Sequence, residues 1–130
     1  MKNFAAITLL AFLSLNCQSL TGPRGVKLGE SFQLSYRESL NIQSTPLVVT
    51  FRAVHDDSRC PKGVECFWQG NAGIILSVSG ADLLLNTTLD PQETGYKGYK
   101  IHLVTVDPRP IVGVQLRPED YIVTVIVTAE

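Results

Sequence analysis

The sequence predicts an all-β fold: an antiparallel two-sheet β-sandwich, with a partly open β-barrel as the alternative. Three observations carry this. Short β-branched runs alternate between apolar and polar residues. Clusters of Pro, Gly and Asp separate the runs at close intervals. Pro and Gly also break most windows in which an amphipathic helix of three turns would fit, and β-branched residues dominate the rest.

The first strand is "SFQLSY" (31–36), which sets Phe32, Leu34 and Tyr36 on one face, and "LNI" (40–42) continues it briefly. "PLVVTFRAV" (46–54) is β-branched. It aligns Leu47, Val49, Phe51 and Ala53, with Pro46 at a position that tolerates a missing N–H. "AGIILSVSG" (72–80) and "ADLLLNTTL" (81–89) form a hairpin, with Ser79-Gly80 as its tight turn and Ile74, Leu76 and Val78 on one side. "YKIHLVTV" (99–106) sets Ile101, Leu103 and Thr105 against Lys100, His102, Val104 and Val106. "YIVTVIVTA" (121–129) is nearly all apolar, the pattern of an internal strand covered on both faces. "DPQETGYKG" (90–98) and "DPRPIVGVQLRPED" (107–120) read as turns, the latter with room for a short strand at 111–116.

The N-terminus reads as an address. Lys2 precedes an apolar run from Phe4 to Leu15, which is too short to span a bilayer and has the length of a signal-peptide core. "LSLNC" follows, and a Cys immediately after such a core resembles the processing site of bacterial lipoproteins. That resemblance implies cleavage before Cys17, a lipid on its thiol, and attachment to a bacterial membrane. Asn16 and Ser14 stand where that family has a small residue and a leucine. Ordinary secretory cleavage further on, for example after Gly22, is the alternative. The expected organisation is a signal peptide over 1–16, a lipid-attachment Cys and tether over 17–28, and one domain over 29–130.

Charge and composition exclude little beyond nucleic acid. The formal charge is −1, and the eleven Lys and Arg are scattered without a basic stripe. Export changes the cysteine arithmetic. Of three Cys, one belongs to the processing site, and two remain where disulfides persist. The spacing of Cys60 and Cys66 suits a staple closing a crossover between two strands, with Pro61 and Gly63 permitting the turn. A zinc site would need His55 and His102, the only histidines, and a wider Cys spacing than zinc motifs use. A redox pair would want Cys-x-x-Cys. A calcium loop built on Asp56, Asp57 and Ser58 lacks the spacing of an EF-hand. The expectation is no metal and no cofactor.

"DSRCPKGVECFWQGNA" (57–72) resembles a recurring pattern in small exported or lipid-anchored bacterial proteins. The matching positions are Asp57, Ser58, Arg59, Cys60, Pro61, Cys66, Trp68 and Gly70. The resemblance implies the same kind of address and no particular reaction. The residues themselves suggest a structural role: Asp57 paired with Arg59, Arg59 bracing carbonyls, and Trp68 covering the disulfide or a sheet edge. The functional alternative is a rigid binding loop presenting Arg59, Lys62 and Phe67 to an envelope protein or glycan, or to an external enzyme as an inhibitor. Tyr96 and Tyr99, around a Gly-rich turn with Lys97 and Lys100, are a second place for such contact. Asn86-Thr87-Thr88 fits a glycosylation sequon. No nucleophile elbow, phosphate loop or dinucleotide fingerprint is present, so a non-enzymatic module is expected, with a metal protein or hydrolase as the remote alternative.

Overall fold

A computed structural model describes residues 24–130. The chain is all-β, with two sheets facing one another. In chain order the strands are β1 (Gly25–Val26), β2 (Ser31–Ser35), β3 (Ser39–Ile42), β4 (Val48–Asp57), β5 (Ala72–Val78), β6 (Ala81–Asn86), β7 (Glu93–Tyr96), β8 (Tyr99–Asp107) and β9 (Ile122–Ala129). One sheet has the order β1-β3-β4-β5-β6 and the other β2-β9-β8-β7. The expected signal peptide over 1–16 and the lipid-attachment residue Cys17 lie outside the described residues.

Alternation builds the core. Phe32, Leu34, Val49, Phe51, Ile74, Leu76, Ile101, Leu103, Val123 and Val125 point inward from both sheets and are buried. Side chains two residues apart along a strand share a face, so each run above delivers its apolar set to one interior. Tyr36 meets Phe51 edge-on at 5.9 Å between ring centres, joining the end of β2 to the opposite sheet.

Five local features depart from the sequence reading. Gly25–Val26, within the segment expected as tether, pairs in parallel with β3 and makes that sheet mixed. Glu93–Tyr96, expected as turn, is a strand paired with β8 through the two-residue turn Lys97-Gly98, both at positive φ. On β8 a bulge between Leu103 and Thr105 resets the alternation. Val106 is therefore buried, and Thr105 is exposed in its place. β9 is internal, between β2 and β8, but only one of its faces is covered. Val123, Val125 and Val127 are buried, while Ile122 on the other face is 39% exposed. Residues 111–116 form no strand; Ile111 makes single bridges to Lys62 and Val114.

The Ser79-Gly80 turn is as expected, with positive φ at both positions, the requirement of a tight two-residue hairpin.

Candidate functional site

β4 ends at Asp57, β5 starts at Ala72, β6 ends at Asn86 and β8 ends at Asp107, so four strand ends meet at one pole of the sandwich. Three loops leave from it: 58–71, which carries the cysteines, 87–92 and 108–121.

Asp57 and Arg59 organise this pole. Asp57 Oδ1 accepts from Arg59 Nε at 2.8 Å, and Oδ2 accepts from Arg59 Nη2 at 2.8 Å, a two-pronged ion pair. Arg59 Nη2 also donates to the Pro108 carbonyl at 2.8 Å, and Nη1 donates to the Val106 carbonyl. The Tyr121 hydroxyl donates to Asp57 Oδ2 at 3.0 Å. The guanidinium thus ties the end of β4 to the end of β8, and the Asp57 carboxylate ties it to the approach of β9. The Asp57 and Arg59 side chains are only 8% and 12% exposed.

Electrostatics follow the geometry. Burial, the largest single influence, pushes the Asp57 carboxyl up. The Arg59 guanidinium, the Arg59 backbone N–H and the Tyr121 hydroxyl together outweigh it, and the carboxyl titrates below its ordinary value. Burial and the bond to Asp57 push the Tyr121 phenol up to about 12.

A raised phenol binds its proton more tightly in the folded state. Its contribution is complete below the ordinary tyrosine range near 10 and is lost as pH rises towards about 12. We expect alkaline titration to remove roughly 2–3 kcal/mol of stability in that window. Urea midpoints measured across it should fall less steeply for Tyr121→Phe than for the unaltered protein. The Asp57 contribution runs the other way. It is present above the unfolded carboxyl range near 4 and lost as pH falls through the lower folded value.

The loop 58–71 closes on itself. Cys60 and Cys66 are disulfide-bonded, with their Cα atoms 5.9 Å apart. Ser58 and Asn71 seal its neck: Ser58 N donates to the Asn71 carbonyl at 2.7 Å, and Asn71 N donates to Ser58 Oγ at 3.1 Å. Gly70, at φ +72, packs directly on the Ser58 carbonyl and Arg59 Cα. Removing the disulfide by Cys60→Ser with Cys66→Ser is expected to cost about 2.4 kcal/mol, the loop-entropy value for seven residues. The difference in urea midpoint at unchanged slope measures it, and free-thiol labelling without reductant should find neither Cys60 nor Cys66.

Buried asparagines hold the second loop. Asn71 Nδ2 donates to Asn86 Oδ1 at 2.9 Å, and Asn71 Oδ1 accepts from the Thr88 and Leu89 backbone at 3.1 and 3.3 Å. Asn86, the sequon residue, is buried with its amide directed to the Asp90 and Pro91 carbonyls. A glycan has no room there. The third loop leans on the first: Lys62 N donates to the Pro110 carbonyl at 2.9 Å, and Arg109 Nη2 to the Cys60 carbonyl at 2.9 Å. An open cavity of about 460 Å³ lies among the three loops and the end of β8, lined by Arg59, Gly70, Thr88, Asp107 and Arg109 among others.

The outside of this pole is apolar. Among the described residues, the seven most exposed large hydrophobic side chains, from Ile111 at 44% to Phe67 at 105%, all belong to these three loops. Val64, Phe67 and Trp68 lie on the first loop and Leu89 on the second. Ile111, Val112 and Val114 lie on the third. Exposed apolar side chains concentrated at one end of a domain are a feature that contact surfaces share.

The motif residues therefore separate into two sets. Asp57, Ser58, Arg59, Cys60, Cys66 and Gly70 form the frame, and Pro61 sits half-buried within it. Arg59 faces inward and is not displayed to solvent, since its donors are occupied by Asp57 and two carbonyls. Lys62 and Phe67 do face outward. Trp68 is 63% exposed and does not cover the disulfide in the manner expected of it, because the loop turns it away from the sheets. Tyr96 and Tyr99 flank the β7–β8 turn at the start of β8, the opposite pole, so they form no single site with residues 57–68. His55 is exposed on β4, while His102 lies on β8 in the other sheet, 3.6 Å from Glu93. Among the described residues, no three His, Cys, Asp or Glu side chains gather to hold a metal ion.

Leu89, Val112 and Val114 escaped the sequence reading. For Val112 and Val114 the signal was apolar residues inside a Pro-rich segment, where a solvated loop has no need of them, whereas Leu89 closes a run that reads as strand.

No family model matches the chain. No curated protein matches it, and no solved structure matches it.

Proposed function

We propose that the chain is an exported, lipid-anchored, non-enzymatic module of the bacterial envelope, and that its apolar pole is the surface with which it works. One observation carries the reading. The most exposed hydrophobic side chains are concentrated on loops that a disulfide, a buried ion pair and a buried asparagine pair hold in shape. A frame of that kind lowers the ordering cost of contact. The apolar run before Cys17 supplies the address.

The alternative, an inhibitor of an external enzyme presented through residues 57–68, has less in its favour. Arg59 is turned inward, and the Lys62 backbone is tied to the third loop.

Two measurements test the reading. Intact mass of the membrane-extracted protein should show a chain starting at Cys17 with a lipid increment. A soluble product starting after Gly22 refutes the anchor. A photoreactive residue at position 67 should cross-link to an envelope component in living cells. The same group at position 48, on exposed Val48 at the far end of β4, should not. Equal behaviour at both positions refutes the working surface.

A further inference from the structure

The direction in which the chain enters the sandwich bears on what the apolar pole touches. β1 is parallel to β3, with Gly25 opposite Asn41, and β3 is antiparallel to β4, with Asn41 opposite Val48. Going backwards from Gly25 therefore leads along β4 from Val48 towards Asp57, which is towards the apolar pole. Two bulges shorten β4, so that from Val49 to Asp57 it runs beside six steps of β5, Val78 to Ala72, or about 20 Å of that path. Eight residue steps separate Cys17 from Gly25, and these span at most about 27 Å. Fully extended, that segment carries a lipid on Cys17 to about the level of the β4 end, on the side of the apolar loops.

We infer that the apolar pole is a membrane-contact surface, docking on the same bilayer face that holds a lipid on Cys17, with Phe67 and Trp68 seated among the headgroups. This rests on the proposed lipid anchor. The side chains suit that occupant. Trp is favoured at the membrane–water boundary, where an apolar ring and a polar N–H are both accommodated. Lys62 is exposed on the same loop as Val64 and Phe67, and a lysine can lay its stem along apolar surface while its head meets a lipid phosphate. Glu65 is the acidic residue inside the disulfide loop, and it is exposed at its edge. The exposed apolar side chains are shared among three loops at one pole, an arrangement that a deformable lipid surface can accommodate.

Trp68 is the only tryptophan, so the protein carries its own probe. The full chain isolated from membranes is reconstituted into phosphatidylethanolamine–phosphatidylglycerol vesicles with ordinary or brominated acyl chains. The expected result is Trp68 emission at shorter wavelength than in water, quenched by the brominated lipid and shielded from aqueous iodide. A Phe67→Ser, Val112→Ser double variant alters only exposed side chains, and it should regain iodide quenching. Emission that stays at the wavelength of a hydrated indole, untouched by bromine, overturns the inference. So does shielding that arises in native membranes and is absent from pure lipid, because a protein then occupies the pole. Intact mass on the same sample separates the two readings. Lipid without bromine quenching leaves the anchor standing and removes the docking. Quenching without lipid does the reverse, and neither result removes both.

Discussion

Replacing Arg59 by Met is expected to lower stability by about 3–5 kcal/mol, the cost of breaking a buried ion pair from one side. Globular domains have roughly 5–15 kcal/mol in total, so this is a large share. Asp57 would keep a nearly buried carboxylate with only the Tyr121 hydroxyl and a backbone N–H to compensate it. The carbonyls of Val106 and Pro108 would lose the donors that now tie β8 to β4. Met fills a comparable volume, which isolates the polar loss from a packing loss. Arg59→Lys should recover little of it, since one ammonium cannot make a two-pronged bond and reach two carbonyls as well. Urea unfolding measures all of these. The double variant Asp57→Leu with Arg59→Met should recover part of the loss, because it removes the unpaired charge along with its partner. A loss under about 1 kcal/mol for Arg59→Met would place the pair among ordinary surface ion pairs.

The parts of this molecule that could be read from residues alone are those governed by period and count. Alternation placed Phe32, Leu34, Val49, Phe51, Ile74 and Leu76 in the core, and Ser79-Gly80 announced its hairpin. Cys60 and Cys66 are joined as their spacing suggested. What period cannot carry is a change of phase. The bulge on β8 has no composition of its own, and it exchanges Thr105 for Val106 without altering the strand's appearance. β7 is four residues long and bears a Gly, so its pairing rests on its partner β8 and on a turn whose Lys97 takes a conformation usual for Gly or Asn. β9 is as apolar as a doubly covered strand, yet Ile122 and Ile126 face outward, because the sheet has a partner on one side only.

The candidate site divides along the same line. Asp57 with Arg59 was legible, since opposite charges two residues apart at a strand end are able to pair. Their reach to Val106, Pro108 and Tyr121 crosses 47 to 64 residues of sequence and depends on the two sheets meeting. The exposure of Trp68 depends on long-range geometry for a related reason. A lone Trp beside a disulfide is a natural cover when the loop folds back, and here Gly70 and the Ser58–Asn71 bonds close the neck and leave the tip outside.

Gly70 is the position at which a single methyl group should do the most damage to that arrangement. Two effects act together. At φ +72 an L-residue carries left-handed strain, which by itself is about 1–2 kcal/mol. A Cβ there would also collide with the Ser58 carbonyl oxygen, and it would lie 2.6 Å from Arg59 Cα. Both are backbone atoms, held by the bonds of Ser58 to Asn71 and of Arg59 to Asp57, so no side-chain rotation relieves the contact. Gly98 provides the comparison. It has φ +83 and open space around its missing Cβ, so Gly98→Ala carries the strain alone. We expect Gly70→Ala to cost more than about 3 kcal/mol and Gly98→Ala about 1 kcal/mol. Urea midpoints at matched slopes give both values. The two variants should also differ in Trp68. Spreading the neck moves residues 66–70 away from the sandwich, so Gly70→Ala should alter Trp68 emission in the folded protein and Gly98→Ala should leave it unchanged. Equal costs for the two would mean that the neck opens freely, and the loop would then lack the stiffness on which a fixed apolar pole depends.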